Sequence, residues 1–244
     1  MPAENIRKLS VIVPCFNEDL NAHRFQKELI ECLNVFSFET EYIFIDDGST
    51  DKTAEIINEL TKRNSTVKLY SHERNEGLGA AIKTGLTYAT GDAILVVDAD
   101  LTFHPSQFPL LLEKWEEGVD CVSGSSVKGG FRGVPFIRRL LSVLVNRVYE
   151  LTLGVPVTSA SSIFRLYRKS ALDLFTFERN SFDINAEILS QFLLTGHRVV
   201  EVPAVLTDRF MGQSKIKIGR EIKNHLLMFG KIIYWKITLR HGKK

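Results

Sequence analysis

Residues 93–100 read Ala93-Ile94-Leu95-Val96-Val97-Asp98-Ala99-Asp100, an apolar run that empties into two carboxylates one residue apart. An unbroken run of this kind predicts a strand buried on both faces, as in a parallel sheet. Parallel sheets bind ligands beyond the carboxyl ends of their strands, and hard divalent cations such as Mg²⁺ prefer oxygen ligands. Asp98 and Asp100 are therefore a candidate metal–diphosphate site. The competing reading is a plain strand end that caps the helix following Pro105.

The same rhythm extends toward the amino terminus. Apolar runs at Leu9–Val13, Tyr42–Ile45 and Val67–Tyr70 alternate with helical patterns at about 20–35, 51–62, 78–89 and 106–116. This alternation predicts an α/β domain with a doubly wound, mostly parallel sheet flanked by helices. A polar cluster follows each run: Pro14-Cys15-Phe16-Asn17-Glu18, Asp46-Asp47-Gly48-Ser49-Thr50-Asp51, Arg74-Asn75-Glu76-Gly77-Leu78-Gly79, and the Asp98–Asp100 pair. Four loops then converge on one sheet edge. The Asp46–Asp51 cluster reads either as a turn with a helix cap or as an acid that accepts hydrogen bonds from a nucleobase or ribose. The amides of Gly77-Leu78-Gly79 can approach a sugar or phosphate closely. The dinucleotide fingerprint is excluded, because the first run ends in Pro14 and its loop has no glycine.

Composition bounds the remainder. A chain of 244 residues, 44% hydrophobic and 25% charged, can bury a substantial core and reads as a single domain. A net charge of +2 excludes wholesale attraction to nucleic acid. Cys15, Cys32 and Cys121 are too few and too scattered for a disulfide framework, and no signal-peptide pattern opens the sequence. A reducing, cytoplasmic setting is expected.

Taken in order, Val11–Glu18, Ile45–Asp51, Arg74–Ala81 and Gly91–Leu101 resemble the family 2 glycosyltransferases, which have the GT-A fold. The resemblance implies a nucleotide-sugar donor. Pro14, Phe16, Glu18 and the Asp46–Asp47 pair would hold base and ribose, with Asn75, Gly79 and Lys83 as further donor contacts. Asp98 and Asp100 would hold Mg²⁺ or Mn²⁺ on the diphosphate.

The second half narrows the resemblance. Lys128-Gly129-Gly130, Arg138–Ser142, Phe164–Arg168, Glu201-Val202-Pro203 and Asp208–Lys215 look like the dolichyl-phosphate mannose synthase and polyprenyl-phosphate glucosyltransferase group. That group implies inverting hexosyl transfer from GDP-mannose or UDP-glucose to the phosphate of a membrane polyprenol. Asp100, Arg209 and Lys215 are then the catalytic candidates, because fixed cations stabilise the charge that grows on the departing diphosphate. Arg132, Arg138 and Arg139 are candidates for the acceptor phosphate, which guanidinium geometry matches.

Three departures from the group stand out. Ser126 replaces an arginine, Thr102 a glutamine, and the run Ser159–Arg165 lacks the group's aspartate and glycine. A phosphate acceptor is already anionic and needs no general base, so the missing aspartate is tolerable for a lipid phosphate. The alternatives are a hydroxyl acceptor, with Asp183 or Glu187 as the nearby acid, or a catalytically weakened membrane-surface binding protein of the same fold.

Residues 134–153 and 222–239 place apolar side chains at helical spacing among Arg and Lys. Both segments read as interfacial helices, or else as helices folded onto the domain's own core. Neither has the uninterrupted apolar length of a membrane span. The expectation is one domain over 1–244, with a nucleotide-sugar half (1–125), an acceptor half (126–219) and an amphipathic tail (220–244). Its expected place is peripheral, at the cytoplasmic face of a membrane, with a small integral membrane subunit as a partner by resemblance. Deleting the tail from Ile222 is expected to weaken membrane binding while sparing donor binding.

Overall fold

The computed structural model describes residues 6–208 and 218–241. The first four strands follow the apolar runs: β1 (Lys8–Cys15), β2 (Glu39–Asp46), β3 (Val67–Ser71) and β4 (Ala93–Val96). Between β1 and β2 the expected single helix is broken into α1 (Asp19–Ala22), a π-helical stretch (Phe25–Ile30) and α2 (Glu31–Leu33). This path still buries Phe25, Leu29, Ile30 and Leu33 against the sheet. The crossovers α3 (Thr53–Arg63) and α4 (Leu78–Tyr88) lie where the periodicity places them. The pattern at 106–116 shortens to a 3₁₀ turn (Pro105–Gln107) and α5 (Phe108–Leu112).

The second half adds β5 (Cys121–Ser125), α6 (Ser126–Gly129), β6 (Phe131–Arg132), α7 (Phe136–Leu153) and β7 (Arg165–Arg168). After these come α8 (Lys169–Leu172), α9 (Ile184–Thr195), β8 (Val199–Pro203), β9 (Leu206–Thr207) and α10 (Ile218–His241). Seven strands form one sheet in the order β3-β2-β1-β4-β7-β5-β8, and β6 pairs with β9 in a small second sheet. Within the large sheet every pairing is parallel except those of β7, which runs antiparallel to both β4 and β5.

Helices cover both faces of the sheet, as strands this apolar require. Val11 and Val13 face a core containing Phe25, Phe44, Phe108 and Trp115, while Ile12 faces one containing Ile43, Ile82, Ile94 and Phe192. Helix α4 sits close to β1 because Gly85 has no side chain: a Cβ there would lie 2.5 Å from Cγ2 of Ile12. At the edge away from the polar loops, Glu41 is buried and ties three segments together. It accepts from the hydroxyl of Ser10, the amide and hydroxyl of Thr90, and the ammonium of Lys68.

A third cluster joins α7, α9 and α10 through Tyr149, Leu153, Leu189, Met228 and Ile232. Each helix therefore packs one face into the domain's own core and leaves apolar side chains of another face in solvent. Phe136 and Leu151 on α7 and Leu226 and Tyr234 on α10 are exposed. The expectation for a truncated tail is corrected by this packing. Met228 and Ile232 are completely buried, each worth roughly 1.5–3 kcal/mol, so removing the chain from Ile222 opens the core. No described helix is long and apolar enough to cross a membrane.

Candidate active site

A cleft of about 380 Å³ opens at the carboxyl ends of the strands. Pro14, Phe16 and Glu18 line it from the loop after β1, Asp47 from that after β2, Asn75 and Gly77 from that after β3, and Asp98 and Asp100 from that after β4. Ser181 and Phe182, ahead of α9, and Arg220 and Glu221, on α10, complete the wall. The four loops singled out in the sequence thus meet in one place.

The loop after β4 is a tight turn in which the amide of Leu101 donates to the carbonyl of Asp98 at 3.0 Å. Leu101 is buried and has φ +53°, a left-handed conformation that costs a non-glycine residue on the order of 1–3 kcal/mol. The surrounding packing holds it there. Thr102, at the position where the resembling group has glutamine, serves both acids. Its amide donates to Oδ1 of Asp100 at 3.1 Å, and its hydroxyl donates to Oδ2 of Asp98 at 3.4 Å. Its carbonyl in turn accepts the amide and hydroxyl of Thr207. Arg24, paired through two nitrogens with Glu28, donates to the carbonyl of Asp100 at 3.4 Å.

These residues fit a divalent ion that arrives with a diphosphate. Among the described residues no cluster of three or more His, Cys, Asp or Glu side chains forms a closed cage. Two carboxylates, with further oxygens left to phosphate and water, is the arrangement that Mg²⁺ and similar ions favour.

Asp47 lines the cleft and also organises the loop after β3. Its Oδ1 accepts from Nδ1 of His72 (2.7 Å) and the amide of Glu76 (2.9 Å), and its Oδ2 from Nδ2 of Asn75 (2.9 Å) and the amide of Gly77 (2.8 Å). The roughly four lone-pair positions of a carboxylate are thereby occupied. Asp47 shapes the wall of the cleft from within rather than presenting vacant acceptors to base or ribose. Asp46 accepts from the amide of Ser49 at 3.2 Å and does not line the cleft.

Gly79 and Lys83 both contact the segment around Asn180. The Gly79 amide donates to the carbonyl of Asn180 at 2.9 Å, and a Cβ on Gly79 would lie 2.4 Å from the carbonyl oxygen of Arg179. The neighbouring protein segment leaves no room for a side chain there. The Lys83 ammonium donates to Oδ1 of that same Asn180, and Lys83 does not line the cleft.

Two of the three acceptor candidates, Arg132 and Arg138, contact Asp208. Its amide donates to the carbonyl of Arg132 at 2.9 Å, and its carboxylate lies 3.9 Å from the guanidinium of Arg138. Arg139 donates from Nε to the carbonyl of Val134. Arg209 and Lys215 lie outside the described residues.

The run that lacks an aspartate is held by a different set of contacts. Ser159 donates to Oε1 of Glu201, whose Oε2 lies 2.9 Å from the ammonium of Lys128. Arg165, wholly buried, donates to the carbonyls of Ser159, Ala160 and Asn185 and to the hydroxyls of Ser123 and Tyr167. Ser126 is buried at the start of α6.

Of the two nearby acids, Glu187 is fully engaged, accepting the amides of Glu178 and Arg179 and the ammonium of Lys231. Asp183 differs. Burial pushes its carboxyl above the usual range, against the pull of Arg179, and the neighbouring Glu221 charge adds to the rise. Its Oδ2 lies 3.3 Å from Nε of Arg179.

Ser181, Phe182, Arg220 and Glu221 are site residues that the sequence did not announce. They come from segments more than 80 residues beyond Asp98, and no local spacing links them to it. A larger concavity of about 460 Å³ lies between α7 and α10, lined by Leu151, Thr152, Ile233, Lys236 and Ile237. It carries no candidate chemistry, because the Lys236 ammonium caps α7 through the carbonyls of Thr152 and Leu153.

Comparison with known proteins places this geometry. Glucosyl-3-phosphoglycerate synthase from Mycobacterium tuberculosis, in complex with Mn²⁺ and UDP-glucose, is similar with a TM-score of 0.69 and 21% identity, over 93% of this chain and 80% of that one. The mannosyltransferase PcManGT from Pyrobaculum calidifontis, in complex with GDP-Man and Mn²⁺, is similar with a TM-score of 0.65 and 17% identity, over 93% of this chain and 64% of that one. Identities this low establish a shared fold, the GT-A fold, and no more. Residues 10–175, which span β1 through β7 and all four strand-end loops, match the family described as Glycosyl transferase family 2. The chain belongs to glycosyl transferase family 2.

Proposed function

We propose that this domain moves a hexosyl group, with inversion, from a nucleotide-sugar to the phosphate of a polyprenyl lipid at the cytoplasmic face of a membrane. The observation that carries the acceptor side is the pair of exposed apolar stripes on α7 and α10. On α7, Phe136, Ile137, Leu140, Leu144 and Leu151 share one helix face; Ile222, Leu226, Ile233 and Ile237 do so on α10. Arg138, Arg139, Arg147 and Lys223 lie among them, as an anionic bilayer surface would favour.

On the donor side, Pro14, Phe16, Glu18 and Asn75 form the wall for the nucleoside, and Asp98 and Asp100 would hold Mg²⁺ or Mn²⁺ against the diphosphate. The ion, when bound, supplies electrostatic stabilisation of the diphosphate. Arg132, Arg138 and Arg139 hold the acceptor phosphate, one oxygen of which bonds to the anomeric carbon as the bond to the diphosphate breaks on the opposite face. Arg209 and Lys215 add cations on the leaving side. A small integral membrane subunit fits the same exposed stripes as a partner.

A second reading, transfer to a hydroxyl, takes as its base Asp183, a buried carboxylate next in sequence to the cleft residue Phe182 and 3.3 Å from Nε of Arg179. One assay separates the two. UDP-glucose and GDP-mannose are supplied in turn, with Mn²⁺, to the protein and a short polyprenyl phosphate in anionic vesicles. Sugar is expected in the lipid fraction with inverted configuration. Equal transfer to the dephosphorylated polyprenol, or to phosphoglycerate without lipid, overturns the lipid-phosphate acceptor.

A further inference from the structure

We infer that Arg220, on α10, is a diphosphate-binding residue of the donor cleft, an assignment that rests on the nucleotide-sugar reading. The described part of the cleft is acidic: Glu18, Asp47, Asp98, Asp100 and Glu221 line it, and Arg220 is its one basic side chain among the described residues. A nucleoside diphosphate brings negative charge on both phosphates and gains more as the sugar leaves. A divalent ion offsets the Asp98–Asp100 pair, and a guanidinium at the cleft wall adds to the cations proposed for the phosphates. A planar guanidinium meets phosphate through two parallel hydrogen bonds, which a lysine does not reproduce.

The fold leaves Arg220 available for this while fixing its backbone. The other described cations of α10 that touch the domain are already engaged. Lys231 bridges Glu178 and Glu187 at 2.8 Å each, and Lys236 caps α7. Arg220 is exposed and makes no ion pair among the described residues. The next residue anchors the turn that carries it: Oε1 of Glu221 accepts from the hydroxyl of Ser181 at 2.8 Å. One turn further on, Nδ1 of His225 and the hydroxyl of Tyr149 are 2.7 Å apart. The side chain can therefore reach into the cleft without the helix having to move.

The test compares affinities across a ligand series in Mn²⁺: uridine and UDP, then guanosine and GDP, measured by calorimetry on wild type, Arg220→Ala and Arg220→Lys. Arg220→Ala should weaken binding of the preferred diphosphate at least tenfold, leave the matching nucleoside unchanged and lower turnover. Arg220→Lys should recover part of the loss. Equal weakening of nucleoside and diphosphate would mean that Arg220 only supports the fold, and unchanged diphosphate affinity would remove it from the site. Either result overturns the inference while the donor reading stands. Failure of wild-type protein to bind UDP or GDP overturns both.

Discussion

The amide of Thr102 donates to Oδ1 of Asp100 while its hydroxyl donates to Oδ2 of Asp98, so one residue bridges both strand-end acids, through its backbone to one and its side chain to the other. The residue thus keeps two donors within reach of the pair. Its carbonyl, held by Thr207, links the acids to the small sheet of β6 and β9.

Asp100→Asn should abolish metal-dependent transfer and leave the fold intact, because it removes a charged oxygen ligand at a strand end without emptying the core. Thr102→Val should be milder, weakening Mn²⁺-dependent nucleotide binding about tenfold. Binding titrations with and without Mn²⁺ check both; near-normal turnover in folded Asp100→Asn would sink the metal assignment.

Asp47→Ala should destabilise the domain by about 2–4 kcal/mol, since the amides of Glu76 and Gly77 and the side chains of His72 and Asn75 all lose their acceptor. Urea unfolding measures this. A loss below about 0.5 kcal/mol would show that the carboxylate is not what holds the loop after β3.

Glu41 makes a prediction about acid. Burial alone would raise its carboxyl, but hydrogen bonds from Lys68, Thr90 and Ser10 outweigh burial and hold it at about 2. A group depressed in the folded state stabilises at pH values above its unfolded value of about 4.3, and that contribution disappears as pH falls toward 2. Wild type should lose roughly 3 kcal/mol over this window through Glu41, and Glu41→Gln should lose much less. Parallel acid-unfolding curves for the two proteins would refute the assignment.

The membrane half of the proposal calls for surface substitutions, because α10 is also core. Leu140→Gln combined with Leu226→Gln changes two exposed side chains on the two stripes. Binding to anionic vesicles should fall at least tenfold with no change in melting temperature, and wild-type binding should weaken as salt screens Lys and Arg. Undiminished co-sedimentation of the double variant would place the contact elsewhere.

Much of this was legible in the sequence because it is local. The runs ending in Pro14, Asp46 and Asp98 carry the two-sided burial of a parallel sheet, and the polar residues just after them fall at the ligand-binding edge by topology alone. What escaped depends on distant segments meeting. Gly79 looked like a ligand-approach glycine because nothing near it in sequence reveals the Arg179–Asn180 backbone that lies against it. Asp47 looked vacant because its partners lie 25 to 30 residues onward, in the loop it organises. Arg220 sits just ahead of an amphipathic pattern, and only the docking of α10 brings it to the cleft.

The reversed direction of β7 has a consequence for how such a domain can diversify. Because Arg165 pairs with Val96 and Arg168 with Ala93, the segment entering β7, rather than the one leaving it, arrives at the ligand edge. The 11 residues from Gly154 to Phe164, between α7 and β7, therefore reach that edge without contributing a rung to the donor half of the sheet. Their replacement can change that edge while β1, β2 and β4 keep one geometry. Buried Arg165 is the fixed post from which this loop hangs.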